Sequence, residues 1–481
     1  MRLLSTVVLL GLFLMAPLLT RAAGQSGRYE PDSAVVVRSV TLKGNFRTRD
    51  RIVLREMALH VGDTIRRSEL AQKTAWDQRK ISNTNLFVTV DLAAVEDSTQ
   101  PTAFRPLDIT VSMKERWYIF VVPIFELADR NFNEWWYERG RDLSRTNYGL
   151  RVDWKNFTGR NDRFSALAQT GFTPKYIVSY DRPYIDKAQR FGANADFYYA
   201  SNREIAYRPL FDKWEYISPA GLSRLRTRLT TSLSVTRRDG FYHFHEIEAR
   251  YTQNNIADTV AQLNPDYFLD GRTRQRFISL SYFYRYDRRD NVAYALQGNL
   301  LTASVVRHGW LADADMRQTE AAISYSRYYP LGKRFFAAHT LRLRNTWAPN
   351  ERIPYFGARG LGGGDDVLRG YELYIIEGQR HVLFRNNIRY RLFDVKKQLK
   401  WIPLRQFNTL PIAAYLSLIG DTGYVDSNIA ERYQSRLANR WLYGTGLSLD
   451  VVTYYNLVFR FSTTYNSQGQ TGFFLNLQRE L

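Results

Sequence analysis

The residues that could carry catalytic chemistry occur in this sequence without the partners that such chemistry requires. His245-Glu246 begins like the helix of a zinc protease, but Ala249 stands where the second histidine ligand must be. The glycine-rich segment 360–364 has neither the third glycine of a dinucleotide-binding loop nor the Gly-Lys-Ser/Thr of a phosphate loop. No Gly-x-Ser-x-Gly segment is present to hold a serine nucleophile. The sequence therefore predicts a protein that is not an enzyme and that uses no cofactor and no metal ion.

The composition narrows the class of protein further. The chain has 481 residues, 67 lysines and arginines against 47 acidic residues, and a net charge of +20. Its 44% hydrophobic and 15% aromatic content is too high for a disordered chain. The absence of cysteine excludes a disulfide scaffold, a cysteine-based zinc site, a thiol nucleophile and a lipid anchor on an N-terminal cysteine. The positive charge predicts an anionic partner, either nucleic acid or a membrane.

The N-terminus has the pattern of a secretory signal peptide. Met1-Arg2 is a short basic start, residues 3–19 are almost wholly apolar and uncharged, and small residues follow. We predict cleavage after Ala22, which makes residues 1–22 the signal peptide; the alternative is a signal anchor that stays in the membrane. Export argues against a nucleic-acid partner. No other stretch reaches the roughly 18 apolar residues of a membrane helix, so the exported chain is either soluble or a membrane β-barrel.

Residues 35–115 are predicted to form a small α/β domain. Apolar and polar residues alternate in its strands, whereas its helices repeat apolar residues at four- and seven-residue spacings. Ser68 is a candidate helix cap, and Gly44-Asn45 and Gly62-Asp63 are turn signals. The predicted order is strand, helix, helix, strand and strand, over Val36–Leu42, Arg49–Leu59, Ser68–Ser82, Phe87–Val95 and Leu107–Met113.

From Trp117 to Leu481 the pattern changes to many short alternating runs with almost no helical periodicity. Every second residue from Ile278 to Tyr286 is apolar or aromatic, for example. Aromatic residues cluster near the ends of runs, as in Tyr454-Tyr455, which is typical of the aromatic girdles of a membrane barrel. At roughly 20 to 25 residues per strand and turn, the span accommodates about 16 antiparallel strands. The alternative is a soluble β-sandwich or propeller with aromatic residues in its core.

The motifs of the small domain resemble those of a POTRA domain. Gly44-Asn45 follows the first strand and Gly62-Asp63 follows the first helix, as in that family. The segment 83–90, with Leu86 and Phe87 at its centre, is similar to the family's passage from helix to strand. Asn85 stands where the family usually has glycine, and asparagine tolerates the same left-handed backbone.

Three segments of the strand-rich region resemble motifs of the BamA/TamA superfamily of outer-membrane assembly factors, the bacterial surface antigen barrels. The loop motif stands about 110 residues before the end of the chain and the strand motif about 50 residues later, as in the family. The hairpin lacks the family's usual proline at position 295. The motif residues are Asp287, Arg289, Asp290 and Gly298 in a hairpin, Arg369, Gly370 and Tyr371 in a loop, and Asp421 and Gly423 in a strand.

The resemblance implies an anchor that holds the loop inside the barrel. Arg369 offers a planar fork of donors that can grip a carboxylate with two hydrogen bonds, and Asp421, at an inward strand position, supplies the carboxylate. Gly370 permits a backbone turn that a side chain would obstruct, and Tyr371 packs against the inner wall. The pairing follows from the family resemblance together with the complementary charges.

One position departs from the family pattern. The family often places a second carboxylate in an Asn-x-Glu-aromatic-Arg strand, and here Arg389 replaces that glutamate. We therefore expect an anchor that is single, weaker or completed by another residue such as Glu377. The departure affects the details of the anchor and leaves the expected fold unchanged.

Together these features predict an all-β transmembrane barrel of about 16 antiparallel strands over residues 117–481, preceded by a small α/β POTRA-like domain over residues 35–115. Arginines on the polar phase of its strands, such as Arg342 and Arg460, are expected to line a wet lumen or to meet anionic lipid headgroups. The resemblance implies a place in the outer membrane of a Gram-negative-type bacterium, with the POTRA domain in the periplasm.

The implied function is the insertion or translocation of proteins at the outer membrane through a laterally opening barrel. The implied partners are outer-membrane lipids, unfolded outer-membrane or secreted protein clients, and accessory periplasmic or lipoprotein partners, with no nucleic acid. One alternative is a secretion pore or passive channel of the same fold. Another is a soluble exported β-rich protein that acts as a hydrolase or a binding protein.

Overall fold

The computed structural model describes residues 34–97, 104–127, 141–218, 224–311, 314–363, 366–404, 406–454 and 457–479. The predicted signal peptide lies outside the described residues. The chain folds into a small mixed α/β domain at its N-terminal end, followed by one very large antiparallel sheet. No helix among the described residues is both long enough and apolar enough to cross a membrane.

The N-terminal domain contains a four-stranded mixed sheet and two helices. Its elements are β1 (Ala34–Lys43), α1 (Asp50–Leu54), β2 (Thr64–Arg66), α2 (Arg67–Asn83), β3 (Phe87–Glu96) and β4 (Phe104–Glu115). The strand order is β2-β1-β4-β3, with β1 parallel to β4 and the other neighbours antiparallel. Val37 of β1 and Ile109 of β4 are fully buried in one core with Ile81 of α2.

The helices of this domain differ from the prediction at their starts and ends. α1 ends before the predicted boundary because the backbone amides of Ala58 and Leu59 donate to the buried carboxylate of Asp77, at 2.8 and 3.2 Å, and not to helix carbonyls. Since Asp77 belongs to α2, the same contact holds the two helical segments together. α2 begins at Arg67 with Arg66 as its N-cap residue, so Ser68 lies inside the helix and not at the predicted cap position.

Among the described residues, eighteen strands follow the N-terminal domain, and sixteen of them form one continuous antiparallel sheet. In chain order they are β5 (Ile119–Leu127), β6 (Thr146–Lys155), β7 (Arg163–Gly171), β8 (Lys175–Arg182), β9 (Phe191–Asn202), β10 (Ile205–Leu210), β11 (Lys213–Ile217), β12 (Arg226–Asp239), β13 (His243–Ile256), β14 (Arg274–Asp287), β15 (Gly298–His308), β16 (Gln318–Pro330), β17 (Phe335–Trp347), β18 (Arg380–Gln398), β19 (Thr409–Asp426), β20 (Trp441–Val452), β21 (Leu457–Asn466) and β22 (Thr471–Arg479). β10 and β11 form a separate hairpin. The predicted fold class is confirmed, and the single continuous sheet excludes the sandwich and the propeller.

Side chains of the large sheet alternate between an outer apolar face and an inner polar face. In β20, Leu442 and Asp450 are 0% and 1% exposed, whereas Tyr443 and Leu447 are 56% and 49% exposed. An apolar outer surface of this kind is what contact with lipid requires. The arginines expected in the lumen, Arg342 and Arg460, both line the central cavity.

The two ends of the large sheet differ in their connections. At the end that faces the N-terminal domain, called the domain end, connections such as 240–242 are short turns. At the opposite end, the loop end, long connections carry the β10–β11 hairpin and α3 (Asp258–Leu263). Val260, Tyr267 and Tyr355 belong to an apolar cluster of these connections, and both tyrosines line the cavity. The long connections therefore cover the loop end of the cavity.

The first and last strands of the sheet form no registered ladder with each other among the described residues. Every other pair of neighbours is hydrogen-bonded, from β5–β6 round to β21–β22. β5 and β22 have nine residues each, against 19 in β18 and 18 in β19. The seam between β5 and β22 is therefore where backbone pairing stops in the described part of the sheet.

Candidate functional site

The connection between β17 and β18, residues 348–379, reaches into the central cavity and is called the inner loop here. The backbones of Leu361 and Ile376 exchange two hydrogen bonds of 2.9 and 2.8 Å, which closes the loop on itself. Apolar side chains of the loop pack on apolar side chains of the wall strands. They are Leu361, Leu368, Tyr371 and Ile376 from the loop, and Leu383, Val425 and Leu442 from the wall. The loop is thus a folded part of the barrel interior.

Arg369 of the inner loop forms a bidentate ion pair with Asp421 of β19. Its Nε lies 2.7 Å from one carboxylate oxygen, and one Nη donates to the other oxygen. The side chain of Asp421 is fully buried and that of Arg369 is 12% exposed. Because burying either charge alone is strongly unfavourable, each stabilises the other at this position. The structure thus brings together the two residues that the sequence motifs paired.

Two asparagines of β18 complete the surroundings of Arg369. The side-chain oxygen of Asn387 accepts a hydrogen bond of 2.6 Å from one Nη, and the backbone oxygen of Asn386 accepts one of 3.2 Å from the other. Glu377, the additional partner suggested by the sequence, instead accepts a hydrogen bond from the backbone of Gly360. The sequence offered no signal for Asn387, because an asparagine on the polar phase of a strand is usually a water-facing residue.

Arg389 takes part in a different contact, at the domain end of the cavity. Its Nη1 donates to the backbone oxygen of Ala295 at 2.8 Å, and its guanidinium lies 4.5 Å from the ring centre of Tyr294. The Tyr294 hydroxyl donates to Asp450 at 2.8 Å, and Asp450 also accepts from Arg460. The arginine that replaces the family's glutamate therefore holds the β14–β15 turn inside the cavity and not the inner loop.

Glycines let the inner loop approach the wall. Gly370 has a φ of +95°, a conformation that side chains disfavour. On β20, a Cβ at Gly444 would lie 1.8 Å from the backbone oxygen of Arg369. On β19, a Cβ at Gly423 would lie 3.1 Å from a methyl group of Leu361. Glycine inside a strand often marks such a close approach, and this was the available signal for Gly444.

Tyr371 fixes the tip of the loop against β21 and the turn after it. Its side chain is 1% exposed, and its hydroxyl lies 2.7 Å from that of Ser467. Asn466 donates to the backbone oxygen of Gly370 at 2.7 Å. With the contacts already described, the loop is held by all four strands from β18 to β21.

A second charged contact holds the inner loop near Arg369. Asp366 accepts a hydrogen bond of 2.7 Å from Arg342 of β17, and its other oxygen lies 3.5 Å from Arg344. Arg344 also lies 3.4 Å from Glu320 of β16. This contact was missed from the sequence, because acidic residues in a glycine-rich segment are common in surface loops.

The hairpin motif forms the β14–β15 turn at the domain end and not the inner-loop anchor. Asp287 and Arg289 pair at two points, with distances of 2.9 and 2.7 Å. The carboxylate of Asp290 accepts two backbone hydrogen bonds, at 3.0 and 3.1 Å, from the far side of the turn. Gly298 has a φ of +100°. These residues shape the turn that Arg389 holds.

The motif residues of the N-terminal domain shape its turns and fill its core. Three of them bend the backbone with positive φ angles and two are buried in the core. They are Gly44 (φ 91°), Gly62 (φ 93°) and Asn85 (φ 59°), and Leu86 and Phe87, which are 1% and 3% exposed. Asn45 donates to Asp50 at 2.6 Å, and Asp63 accepts from the amide of His60 at 2.8 Å, so both stabilise turns.

A second buried ion pair fixes the N-terminal domain to the domain end of the sheet. Glu56 accepts a hydrogen bond of 2.7 Å from Arg238 of β12, and the Tyr184 hydroxyl lies 2.5 Å from the same guanidinium. The side chains of Glu56 and Arg238 are 8% and 12% exposed. Beside them, Lys80 of α2 lies 3.2 Å from the ring centre of Phe241. These five residues are called the domain latch here.

The inner loop and the N-terminal domain both line one chamber of about 2060 Å³. Pockets for small molecules usually measure roughly 300 to 1,000 Å³, so this chamber is larger than a single small ligand requires. Arginine and lysine side chains outnumber acidic ones two to one along its wall. The chamber is therefore a wet, cationic space between the inner loop and the domain latch.

Residues 156–385 match the model of the Omp85 superfamily domain. This range includes the hairpin motif and the loop motif with Arg369. No curated protein sequence matches the chain. Several solved structures match it along most of its length. BamA from Haemophilus ducreyi lacking POTRA domains 1–3 is 15% identical, over 92% of this chain and 83% of that chain, with a TM-score of 0.49.

Two CdiB structures match in the same way. CdiB from Acinetobacter baumannii is 13% identical, over 92% of this chain and 74% of that chain, with a TM-score of 0.47. CdiB from Escherichia coli is 11% identical, over 96% of this chain and 92% of that chain, with a TM-score of 0.46. The family model, the sixteen-stranded sheet and the motifs agree with one another, and residues 156–385 form an Omp85 superfamily domain, the family of BamA/TamA-type outer-membrane proteins.

Proposed function

We propose that this protein inserts or translocates polypeptides at the outer membrane through the seam between β5 and β22. Residues 117–481 form the membrane barrel in this proposal, and residues 35–115 are a POTRA-like domain in the periplasm after removal of the signal peptide 1–22. The observation that carries the proposal is the lack of a ladder across the seam in the described sheet. A strand edge without a partner exposes backbone donors and acceptors that another chain can pair with.

The side chains next to the seam suit the delivery of a strand into lipid. Phe473, Leu475 and Leu477 of β22 are exposed on the outer face. A client strand that pairs with β22 would align its own apolar residues with this face, because paired strands share their alternation. Such a strand would leave the seam with its apolar side towards the lipid.

The sheet of the N-terminal domain offers a receptor for clients. β3 is an edge strand that pairs only with β4 among the described residues. An extended client segment can add to such an edge through main-chain hydrogen bonds, which do not depend on the client's sequence. Unfolded outer-membrane or secreted proteins are therefore the proposed clients, and accessory periplasmic or lipoprotein partners would deliver them.

The inner-loop anchor is proposed to preserve the shape of the barrel while the seam opens. Arg369 and Asp421 tie the loop to β19, and the neighbouring contacts extend from β18 to β21. A separation at the seam would then leave these strands in register. The anchor has a mechanical role in this proposal and no covalent chemistry.

A disulfide across the seam tests the proposal. The chain contains no cysteine, so pairs of introduced cysteines along β5 and β22, starting with Val122→Cys and Leu475→Cys, can be screened for oxidation without background. After depletion of the parent protein, we expect the oxidised variant to fail to restore the normal set of outer-membrane proteins, and a reductant to restore it.

The matched control joins two strands that are already paired. Leu447 of β20 lies opposite Thr463 of β21, so the variant with cysteine at both positions should function when oxidised. If oxidised seam variants supported a normal set of outer-membrane proteins, opening of this seam would have no part in the function.

A secretion pore or passive channel of the same fold is the second candidate. The size and the cationic wall of the chamber favour it. Conductance across planar bilayers separates the two functions. A steady current through the parent protein, with an unchanged set of outer-membrane proteins after depletion, would support the channel; a closed lumen with loss of those proteins would support insertion.

A further inference from the structure

Four arginines lie together where the N-terminal domain meets the domain end of the barrel. Arg49 and Arg51 come from the start of α1, Arg160 from the β6–β7 turn and Arg182 from the end of β8. The backbone amide of Arg49 donates to the oxygen of Gly159 at 3.0 Å, which places the start of α1 against that turn. The charge of Arg49 is the main cause that lowers the pKa of Arg160, followed by burial and then by Arg182 and Arg51. These four residues are called the arginine cluster.

Arg182 of the arginine cluster lies on the outer face of the barrel. Asp181 lines the chamber, so strand alternation places Tyr180 and Arg182 on the outer face of β8. Aromatic side chains cover the same region. Phe157 contacts three other rings, with centre-to-centre distances of 4.7 Å to Trp154, 5.7 Å to Phe164 and 6.3 Å to Tyr180. Aromatic residues at this level of a membrane protein lie at the headgroups of the bilayer.

Phe46 extends this apolar surface from the N-terminal domain. Its side chain is 95% exposed. Its neighbour Arg47 donates to the backbone oxygens of Asn156 at 3.0 Å and of Phe157 at 2.7 Å, so Phe46 is held beside the aromatic group. A fully exposed phenyl ring is unfavourable in water and favourable at a membrane interface.

No carboxylate pairs with the arginine cluster in the part of the chain that the structure describes. Asp162, the acidic residue nearest to Arg160 in the sequence, is already bonded by the Tyr180 hydroxyl at 2.9 Å and by the amide of Thr158 at 2.8 Å. Neighbouring like charges repel one another, and an anion placed between them removes that repulsion. The guanidinium fork matches the oxygens of a phosphate group.

We propose that the arginine cluster binds the phosphate of an anionic phospholipid from the periplasmic leaflet, while Phe46 and the aromatic group contact its acyl chains. The inference rests on the membrane orientation given under the proposed function. Two of the four arginines belong to the N-terminal domain and two to the barrel, so one lipid would hold both parts. Basic pockets at the membrane surface bind anionic headgroups in this manner.

Native mass spectrometry of the full-length protein in neutral detergent tests the site, with phosphatidylglycerol as the probe and phosphatidylethanolamine as the zwitterionic comparison. For the variant with Arg160→Gln and Arg182→Gln, we expect the Kd of phosphatidylglycerol to rise about 25-fold, because each basic residue at an anionic surface contributes roughly fivefold. Phosphatidylethanolamine should bind the parent more weakly than phosphatidylglycerol, and inorganic phosphate should not displace the lipid.

The matched control carries Arg66→Gln and Arg105→Gln, which remove the same charge from β2 and β4 at the end of the domain sheet remote from the barrel. Its Kd should equal that of the parent. Heat-modifiable migration on gels verifies folding, and Arg49→Gln with Arg51→Gln provides a second test if the first variant does not fold. Equal affinity of the parent and the cluster variants would overturn the proposal, and displacement by inorganic phosphate would overturn the lipid assignment. The lipid-binding experiment contains no client protein, so a negative result would not contradict the proposal that the seam between β5 and β22 opens.

Discussion

Buried arginine–carboxylate pairs lie at the two ends of the chamber, and they are built differently. At the loop end, Arg369 and Asp421 join a loop to the wall of the same sheet. At the domain end, Arg238 and Glu56 join the sheet to a separate domain. Both carboxylates are buried, with side-chain exposures of 0% for Asp421 and 8% for Glu56. Both carboxylates are therefore buried charges, and the two ion pairs differ in the residues that surround them.

The surroundings favour a permanent contact at the loop end and a releasable one at the domain end. Arg369 adjoins an apolar cluster and close backbone contacts from four strands. Arg238 has the cations Arg55 and Lys80 nearby, and both oppose its charge. Arg369 also has a cation beside it, because Arg385 lies 4.0 Å from the same carboxylate of Asp421. Repulsion between cations is therefore present at both ends, and the packing and hydrogen bonds that moving the inner loop would break make the difference. This comparison suggests that an opening of the chamber begins at the domain end.

Asp421→Ala should have the largest effect, because it leaves Arg369 buried without its carboxylate. We expect a loss of about 3 to 5 kcal/mol in the free energy of unfolding, measured with urea in lipid vesicles. The control is Asp426→Ala on the same strand, where the pair with Arg380 is about half exposed, with values of 48% and 54%. That control should cost less than about 1 kcal/mol. Equal losses would mean that the loop-end pair has no special importance.

Gly444→Ala should have the next largest effect, confined to the loop end. A Cβ there would lie 1.8 Å from the backbone oxygen of Arg369, so the loop must shift. We expect a loss of about 1 to 3 kcal/mol in the free energy of unfolding. Gly420→Ala is the matched control, since a Cβ at Gly420 meets nothing within 4 Å. Protection of the N-terminal domain from protease should be unchanged in both; a change would show that the two ends are coupled.

Glu56→Gln should loosen the domain end and leave the barrel stable. We expect docking of the N-terminal domain to weaken by about 2 kcal/mol, because Arg238 keeps its charge without a charged partner. Limited proteolysis between the domain and β5 measures the docking, and urea unfolding of the barrel should not change. Glu96→Gln is the control, since its partner Arg67 lies in the same domain and is 52% exposed. Loss of barrel stability in Glu56→Gln would contradict the division between the two ends.

The smallest effect is a pH dependence of the domain latch. Burial lowers the pKa of Lys80 to about 7, from its usual value of 10.5. Once the domain is released, Lys80 is solvated and binds its proton more tightly, so docking strengthens as the pH rises through the window from about 7 towards 10. Proteolysis should be slower at pH 8.5 than at pH 7, by roughly 1 kcal/mol of docking free energy. Lys80→Met should remove this dependence, and an unchanged pH profile in that variant would assign it to another group.

Local patterns in the sequence predicted the secondary structure well in regions where all residues share the same surroundings. Lipid on one side and water on the other impose a two-residue period on each barrel strand, which is why the strand-rich region and its approximate strand count were predictable. α1 shows where this fails. Its end is set by the carboxylate of Asp77 on the next helix, and such a competing acceptor leaves no trace in the periodicity of residues 49–59.

The sequence by itself determined the fold class and the turn residues with left-handed backbone, such as Gly44 and Gly370, and the family resemblance of its motifs added the pairing of the two charges in the inner-loop anchor. Only the tertiary structure decided the other partners. Glu56 and Arg238 are 182 residues apart, and Asn387 and Gly444 come from strands that the loop touches only after the sheet has formed. Local pattern reflects the environment that neighbouring residues share, whereas contacts between distant strands depend on the register and curvature of the complete sheet.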